Sequence, residues 1–325
     1  MSQRNFVNRP SRGFTLIELL VSVALGSFLL MGVIKIFDAN KRGVYLAQAF
    51  SEVQEAGRIS KELMARDIRM AYFWGCGLNP DDVFDHLDSS DSNYDPTYDP
   101  TSWDGVGGQE SVSSLTINGI NVVDSSDVLE LSGASNASNT KVVSPYMNTS
   151  AAALHVNTGN ALAKGDILLI SDCTGADLFT NTANNTIVSG TINHATGANP
   201  VTGAVKNAIK DMSHTYGANA KILSPFFRTY FVGVNADGGN SLYRNNNGVA
   251  QELVRNVTQM NITFGEDTSG NGSVDTYSDA DDVTDMEDVL SIHVELGAVS
   301  HSTIAGGDTM DRDYRFTVNI RNRSL

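Results

Sequence analysis

The sequence predicts an α+β fold in which a long N-terminal helix packs on a C-terminal, antiparallel β-rich region of one or two sheet units. Residues 14–34 are apolar, small or hydroxyl-bearing apart from Glu18, and residues 38–74 then continue with apolar side chains near helical spacing. From residue 111 onward, short runs rich in β-branched residues alternate with turn clusters of Gly, Asn, Asp and Ser. One continuous helix followed by strands is the simplest arrangement that satisfies both patterns.

Residues 14–37 form the predicted membrane-spanning half of this helix. At about 1.5 Å per residue, positions 14–34 would extend roughly 30 Å, enough to cross the hydrocarbon of a bilayer. A carboxylate inside such a segment is costly and is therefore usually functional. The alternative is a plain anchor in which Glu18 reaches a lipid headgroup, but acidic side chains are short for that purpose.

The residues before this segment indicate how it is oriented and processed. Residues 1–13 contain three arginines and no acidic residue, which keeps this end in the cytoplasm by the positive-inside rule. A secretory signal places small residues after the apolar run, whereas here Gly13 precedes it. The segment R-G-F-T-L-I-E-L-L, residues 12–20, resembles the type III signal of type IV prepilins and pseudopilins. The resemblance implies that residues 1–13 are a leader, that a prepilin peptidase cleaves between Gly13 and Phe14, that Phe14 becomes the N-methylated first residue, and that Glu18 is the assembly glutamate.

The chemistry of Glu18 can be argued without the resemblance. In a filament core of packed helices, the amine of Phe14 and the carboxylate of Glu18 would both be removed from water. Either charge alone would cost several kcal/mol, and an ion pair between subunits offsets that cost only with good geometry. We therefore expect the pair to set the register of an incoming subunit.

Residues 38–74 are predicted to form an amphipathic half of the helix that lies on a β-sheet. Its apolar positions recur near helical spacing at Leu46, Phe50, Val53, Ala56, Ile59, Leu63, Ile68 and Ala71. Residues 52–77 resemble the minor pilins of the PilW family and, more distantly, the J-type pseudopilins of type II secretion. Residues 172–179, 252–260, 289–296 and 316–323 are also similar to PilW segments.

The β-rich part is predicted to comprise a first unit, residues 75–216, with an acidic loop at 79–110, and a second unit, residues 217–325. Within the loop, Y-D-P-T occurs twice, at 94–97 and 98–101. A solvated loop is the simplest interpretation, with a display loop or a loose cation site as the alternative. Residues 186–192 are predicted to form a strand, and part of 200–216 a short helix. Residues 236–240, A-D-G-G-N, predict a hairpin turn.

Cys76 and Cys173 are the two cysteines of the chain. In an oxidising compartment, a distant pair is most simply a disulfide, which would join the end of the helix to the first β-rich unit. Two buried free thiols are the alternative.

One loop has the spacing of a calcium site. Oxygen-bearing side chains occupy alternate positions of residues 267–275, with glycine at the sixth position as in an EF-hand loop. The candidate ligands are Asp267, Ser269, Asn271, Ser273 and Asp275. The twelfth position is a serine, and the flanking residues predict strands, so an ordinary hairpin loop remains the alternative. A structural calcium ion is thus the one cofactor that the sequence suggests.

The composition and the motifs argue against catalysis and against bulk nucleic-acid binding. The formal net charge of −15, which becomes −18 without the leader's three arginines, repels phosphate backbones. The sequence contains no H-E-x-x-H, no G-x-S-x-G and no phosphate-binding glycine loop. Its six histidines are dispersed. We therefore predict no enzyme activity.

The resemblance implies a minor pilin that primes type IV pilus assembly and lies in a tip complex, supporting twitching motility and adhesion. The implied partners are other minor pilins, the major pilin, a tip adhesin, the prepilin peptidase and the inner-membrane assembly platform. The prepilin would cross the inner membrane once with its C-terminus in the periplasm and later reach the pilus tip. Two alternatives remain open, a J-like pseudopilin of type II secretion and a membrane-tethered periplasmic binding protein or enzyme.

Overall fold

The computed structural model describes residues 14–76, 78–197, 201–304 and 307–323. The predicted leader, including Gly13, lies outside them. The chain divides into two compact units, Met1–Glu52 with Ser300–Met310, and Val53–Val299 with Asp311–Leu325. Helix α1, Leu16–Met70, is predicted by both the apolar and the amphipathic pattern and contains no proline. By length and composition, α1 is the one helix among the described residues that is able to cross a membrane.

The first unit contains the apolar part of α1. Its large apolar side chains are exposed, from Phe14, which is 85% exposed, to Phe37, which is 71% exposed. The segment after residue 300 is held to the helix by Glu52, whose carboxylate accepts hydrogen bonds from the Ser302 amide at 2.9 Å and the Ser302 hydroxyl at 2.6 Å. Leu46 and Phe50, which the periodicity assigns to a buried face, are 49% and 43% exposed. Helical periodicity identifies which residues share a face of the helix, but it does not show whether another part of the protein covers that face.

The second unit buries the last turns of α1, through Val53, Ala56, Met64, Ala65 and Ile68. The ring of Tyr314 lies so close to Gly57 that a Cβ built there would be 2.5 Å from its Cγ. Only glycine allows this approach of a strand side chain to the helix backbone. The amphipathic half of α1 therefore packs on a sheet from Val53 onward, which is the part of its predicted apolar face that the second unit buries.

Sixteen strands and one further helix follow among the described residues. In chain order they are β1 (Val83–Asp85), β2 (Val106–Gln109), β3 (Thr116–Ile117), β4 (Ile120–Asn121), β5 (Val128–Asn136), β6 (Leu154–His155), β7 (Ile167–Asp172), β8 (Gly175–Thr180), α2 (Thr186–Ser189), β9 (Thr191–Ile192), β10 (Lys221–Val234), β11 (Asn240–Asn246), β12 (Val249–Arg255), β13 (Val257–Glu266), β14 (Thr276–Ser278), β15 (Val289–Val299) and β16 (Asp311–Asn319). The long helix followed by a strand-rich region confirms the α+β fold class.

Two sheets contain most of these strands. The eight-stranded sheet has the order β1-β8-β7-β10-β11-β12, and β5 pairs with both β10 and β2. The four-stranded sheet has the order β14-β13-β15-β16 and is antiparallel. Because β10 pairs with β5 and β7, the larger sheet combines strands from both sides of residue 217. The chain passes from the larger sheet to the smaller one between Arg255, the last residue of β12, and Val257, the first residue of β13. Asn256 lies between them and has a φ of 63°.

Two local predictions differ from the structure. Residues 186–192 begin with the short helix α2, which ends at Gly190 in a left-handed conformation, before β9. Residues 201–216 contain turns and isolated bridges and no helix. Contacts with other parts of the chain hold this segment instead, since the Asn207 side chain exchanges two hydrogen bonds with the backbone of Thr180, both at 2.8 Å.

The acidic loop is ordered by its own aspartates. Each Y-D-P-T repeat forms one 3₁₀ turn, and the repeated Asp caps it, Asp95 accepting from the Thr97 amide and Asp99 from the Thr101 amide, both at 3.0 Å. Proline after the cap fixes the φ that such a turn needs. The repeat is thus a structural pair of turns.

Candidate assembly site and the contacts that support it

The first turn of α1 holds Glu18 in a capping box. The Thr15 amide and hydroxyl each donate a hydrogen bond to Glu18 Oε2 at 3.0 Å, and the Glu18 amide donates to Thr15 Oγ1 at 3.3 Å. This reciprocal arrangement satisfies donors that the helix itself leaves unpaired. Glu18 Oε1 accepts no hydrogen bond from the described residues. The carboxylate is therefore oriented by its own helix and keeps one oxygen for another partner.

Sequence reasoning identified Glu18 but not Thr15. The signal was present, because T-L-I-E has the S/T-x-x-E spacing of a capping box. Phe14 precedes the box and is exposed. The box places the carboxylate at the N-terminal end of the helix, close in sequence to Phe14.

Cys76 and Cys173 form a disulfide with their Cα atoms 5.0 Å apart, the pairing that the sequence predicts. It joins the segment after α1 to the turn between β7 and β8. Next to it, the buried rings of Trp74 and Trp103 stack with centroids 4.0 Å apart. Covalent and aromatic contacts together hold the end of the helix segment in the second unit.

A buried carboxylate on α1 binds the larger sheet. Asp67, 4% exposed, lies 2.8 Å from Arg228 Nη1 and 3.2 Å from Arg244 Nη1, and it accepts a hydrogen bond from the Tyr230 hydroxyl at 2.5 Å. Burial, together with the Asp67 carboxylate, raises the pKa of Tyr230, so this hydroxyl remains a donor. The helical spacing in the sequence places Asp67 among the charged residues of the predicted polar face, whereas the structure buries it.

Two other hydrogen-bond networks were not predicted from the sequence, and the first is centred on Arg323. Arg323 donates to the backbone carbonyls of Met286, Val289 and Asp104, and its guanidinium lies 4.3 Å from the centre of the Tyr72 ring. Burial lowers the pKa of Arg323 to about 10, which leaves it charged at neutral pH. These bonds fasten the last described turn to the end of α1.

The second missed network is centred on Asp177. This carboxylate accepts hydrogen bonds from His86 Nε2 at 2.6 Å, from Ser213 Oγ at 2.7 Å and from the Tyr216 hydroxyl. Burial would raise the pKa of Asp177, but these hydrogen bonds hold it below its usual value. The network fastens residues 213–216 to β8. Its members lie up to 130 residues apart and form no recognisable motif.

The predicted calcium loop is closed by hydrogen bonds among its own residues. The Asp267 carboxylate accepts from the amides of Asn271 at 3.1 Å and Gly272 at 2.6 Å. Asp275 Oδ2 accepts from the Ser269 amide at 2.9 Å, and Asn271 Oδ1 accepts from the Ser273 amide at 2.8 Å. A carboxylate has lone pairs beyond those that two amides occupy. Across the described ranges, no three or more His, Cys, Asp or Glu side chains are grouped to hold a metal ion. Calcium stays a prediction.

Comparisons with known proteins match both ends of the chain. Residues 229–322 match the family model of Type IV Pilus-assembly protein W, and residues 8–34 match the Prokaryotic N-terminal methylation motif. No curated protein and no solved structure matches the chain. The first match extends from within β10 through β16, and the second contains Phe14, Thr15 and Glu18. The chain is therefore similar to type IV pilus-assembly protein W at one end and to N-methylated prepilins at the other, and the two matches together support a PilW-type pilin.

Proposed function

We propose that this protein is a minor pilin that primes type IV pilus assembly and lies in the tip complex, where it supports twitching motility and adhesion. The observation that carries the proposal is the Thr15–Glu18 capping box at the start of an apolar, exposed helix segment. The box orients a carboxylate with one unbonded oxygen beside the position of the mature N-terminus. Its role is to assemble with other pilins, and we assign it no catalytic step.

The proposed processing follows from the same segment. Residues 1–13 are the leader, the prepilin peptidase cleaves between Gly13 and Phe14, and Phe14 is N-methylated. The amine of Phe14 on one subunit then pairs with Glu18 of its neighbour. Since both charges leave water in the filament core, a subunit lacking either charge leaves the other unpaired. The proposed route runs from the inner membrane, with the C-terminus in the periplasm, to the pilus tip.

The test replaces Glu18 in cells that lack the chromosomal copy. Glu18→Val should insert into the membrane at the normal level but should fail to restore surface pili, because an incoming amine has no partner. Thr15→Val, which removes the hydroxyl contacts but keeps the carboxylate, is the matched variant and should restore pili in part. Pili restored to wild-type levels by Glu18→Val would overturn the pairing, and a mature N-terminus other than Phe14 by mass spectrometry would overturn the processing.

The same deletion distinguishes the J-like pseudopilin and the tethered periplasmic protein. Loss of surface pili with intact enzyme secretion supports the minor pilin. Loss of enzyme secretion with intact pili would assign the protein to a secretion system. Normal pili and normal secretion would favour a tethered binding protein or enzyme.

A further inference from the structure

A cleft of about 500 Å³ lies on the larger sheet of the second unit. The two 3₁₀ turns, Pro96–Tyr98 and Pro100–Ser102, form one of its sides, and strands β2, β5, β10 and β11 form its floor. Nothing in the assembly role described above uses this cleft. It is remote in sequence from the N-terminal segment that is processed.

The register of the strands places three polar side chains in one row on the floor. Thr229 of β10 pairs with Glu130 of β5 on one side and with Asn245 of β11 on the other. Side chains of directly paired residues point to the same face of a sheet. In the neighbouring row, Phe227 pairs with Ser132. The row thus presents a carboxylate, a hydroxyl and an amide next to an aromatic ring.

This face is the one opposite to α1. Alternation along β10 sends Arg228 and Tyr230 to the other face, where both contact Asp67. Arg228 also donates from Nε to Asn246 Oδ1 at 3.0 Å. Although Arg228 is part of the cleft lining, its guanidinium is bound to a carboxylate behind the sheet and is no counter-ion for an anionic ligand.

Aromatic side chains form the wall beside the polar row. The ring of Tyr98 meets that of Phe227 edge-on, with centroids 5.0 Å apart and an interplanar angle of 79°. Trp103 lies behind them, 6.0 Å from Phe227, and is fixed by a hydrogen bond from its Nε1 to the Thr97 carbonyl at 2.9 Å. Tyr98 and Phe227 are half-buried, so each presents part of its ring at the surface. The wall is therefore partly apolar, and its rings are packed against one another.

The polar groups of the row retain unused hydrogen-bonding capacity. Glu130 Oε1 accepts from Gln109 Nε2 at 3.1 Å, and Asn245 Oδ1 accepts from Asn118 Nδ2 at 2.8 Å. Within the described part of the chain, no group bonds to Glu130 Oε2, Thr229 Oγ1 or Asn245 Nδ2. The row thus offers an acceptor, a hydroxyl that donates and accepts, and a donor at positions set by the sheet.

We propose that this cleft binds a neutral carbohydrate. A sugar ring has an apolar C–H face that packs on an aromatic wall and hydroxyl groups that both donate and accept hydrogen bonds. An aromatic wall with a few convergent polar side chains is the usual form of a small-ligand site. The carboxylates of Glu130 and Asp95 in the lining disfavour phosphate, sulfate or sialic acid ligands. The proposal does not depend on how the N-terminal segment is processed.

Saturation-transfer NMR on the full chain, in a detergent without sugar headgroups, tests this assignment. The neutral probes are lactose, maltotriose, cellotriose and triacetylchitotriose, and the charged probes are sialyllactose, deacetylated chitotriose and tetralysine. At least one neutral probe should give saturable binding. Glu130→Gln and Asn245→Ala should each weaken that binding about tenfold, which corresponds to about 1.4 kcal/mol. Glu55→Gln, an exposed carboxylate on α1, is the matched control and should bind as the wild type does.

The melting temperature of each variant establishes that it is folded before binding is compared. Thr229→Val provides a third floor variant whose side-chain shape is nearly unchanged, and it should also lose affinity. The proposal is overturned if no neutral probe saturates, or if Glu130→Gln and Glu55→Gln bind a neutral probe equally. Preferential binding of tetralysine or deacetylated chitotriose would also overturn it, by assigning the cleft to a cationic ligand.

Discussion

Replacing Asp67 by asparagine should destabilise the second unit more than any exposed charge change on α1. The carboxylate is buried and contacts two guanidiniums at 2.8 and 3.2 Å. Asp67→Asn keeps the size and an oxygen that accepts from Tyr230, so packing and that hydrogen bond are largely retained. What is lost is the negative charge between Arg228 and Arg244, whose side chains are only 19% and 24% exposed.

The size of the effect follows from this partial burial. Removing one partner of a fully buried ion pair costs about 3–5 kcal/mol. Because water reaches part of both guanidiniums, we expect the lower end, about 3 kcal/mol. For a folded unit of roughly 150–250 residues, this corresponds to a fall of roughly 6–12 °C in melting temperature.

The matched control is Glu62→Gln on the same helix. Glu62 lies 3.9 Å from Arg58, and both side chains are more than two-thirds exposed, so this ion pair contributes at most about 1 kcal/mol. Thermal unfolding is followed by fluorescence of the buried Trp74 and Trp103 in the full chain in detergent. If Asp67→Asn lowers the melting temperature no more than Glu62→Gln does, the network does not hold the helix to the sheet.

Three further predictions concern other parts of the second unit. The double variant Cys76→Ala, Cys173→Ala removes a disulfide that closes a loop with a sequence separation of 97 residues. In the chain-entropy description, the free energy of unfolding should fall by about 4–5 kcal/mol. An unchanged denaturation midpoint would exclude that contribution. Burial raises the pKa of Asp85 to about 6, above its unfolded value of 3.8. The protonated carboxyl therefore contributes to the free energy of unfolding in full below about pH 4, and this contribution is lost as the pH rises through 6. Asp85→Asn should therefore raise the melting temperature at pH 7.5 and leave it nearly unchanged at pH 4, and equal shifts at both pH values would contradict this assignment. Calcium should raise the melting temperature of the wild type and not that of Asp267→Ala, and identical melting of the wild type in calcium and in a chelator would rule out a stabilising site.

Local patterns predicted the helix better than they predicted the sheets. Proline-free helical spacing and hydropathy were enough to predict one continuous helix from about Phe14 to about Tyr72, and the structure has it from Leu16 to Met70. Apolar and polar residues alternate in residues 292–296 and 316–320. This alternation predicts strands with one solvent-exposed face, and the two segments lie largely within β15 and β16. The turn at 236–240 joins β10 and β11, as the glycine pair indicated. Each of these depends on neighbours within a few residues.

Local sequence patterns do not predict which strands pair or which charged side chains meet. The Asp67 carboxylate contacts Arg244 across a sequence separation of 177 residues. Thr229 lies beside Glu130 and Asn245 only because of the register of β10 with β5 and β11. A single sequence does not show which strands are neighbours in a sheet. The same limit applies to residues 201–216, which are ordered by distant partners and lack a periodicity of their own.

By itself, the sequence determined the properties that one segment can specify: an apolar helix long enough to cross a membrane, the T-L-I-E turn that orients Glu18, and a distant pair of cysteines suited to a disulfide. Tertiary structure alone decided that Asp67 is a buried counter-ion and that Glu130, Thr229 and Asn245 form one row in a cleft. The physical reason is that helical hydrogen bonds and capping close within four residues, whereas sheet contacts are made between residues that only the folded chain brings together.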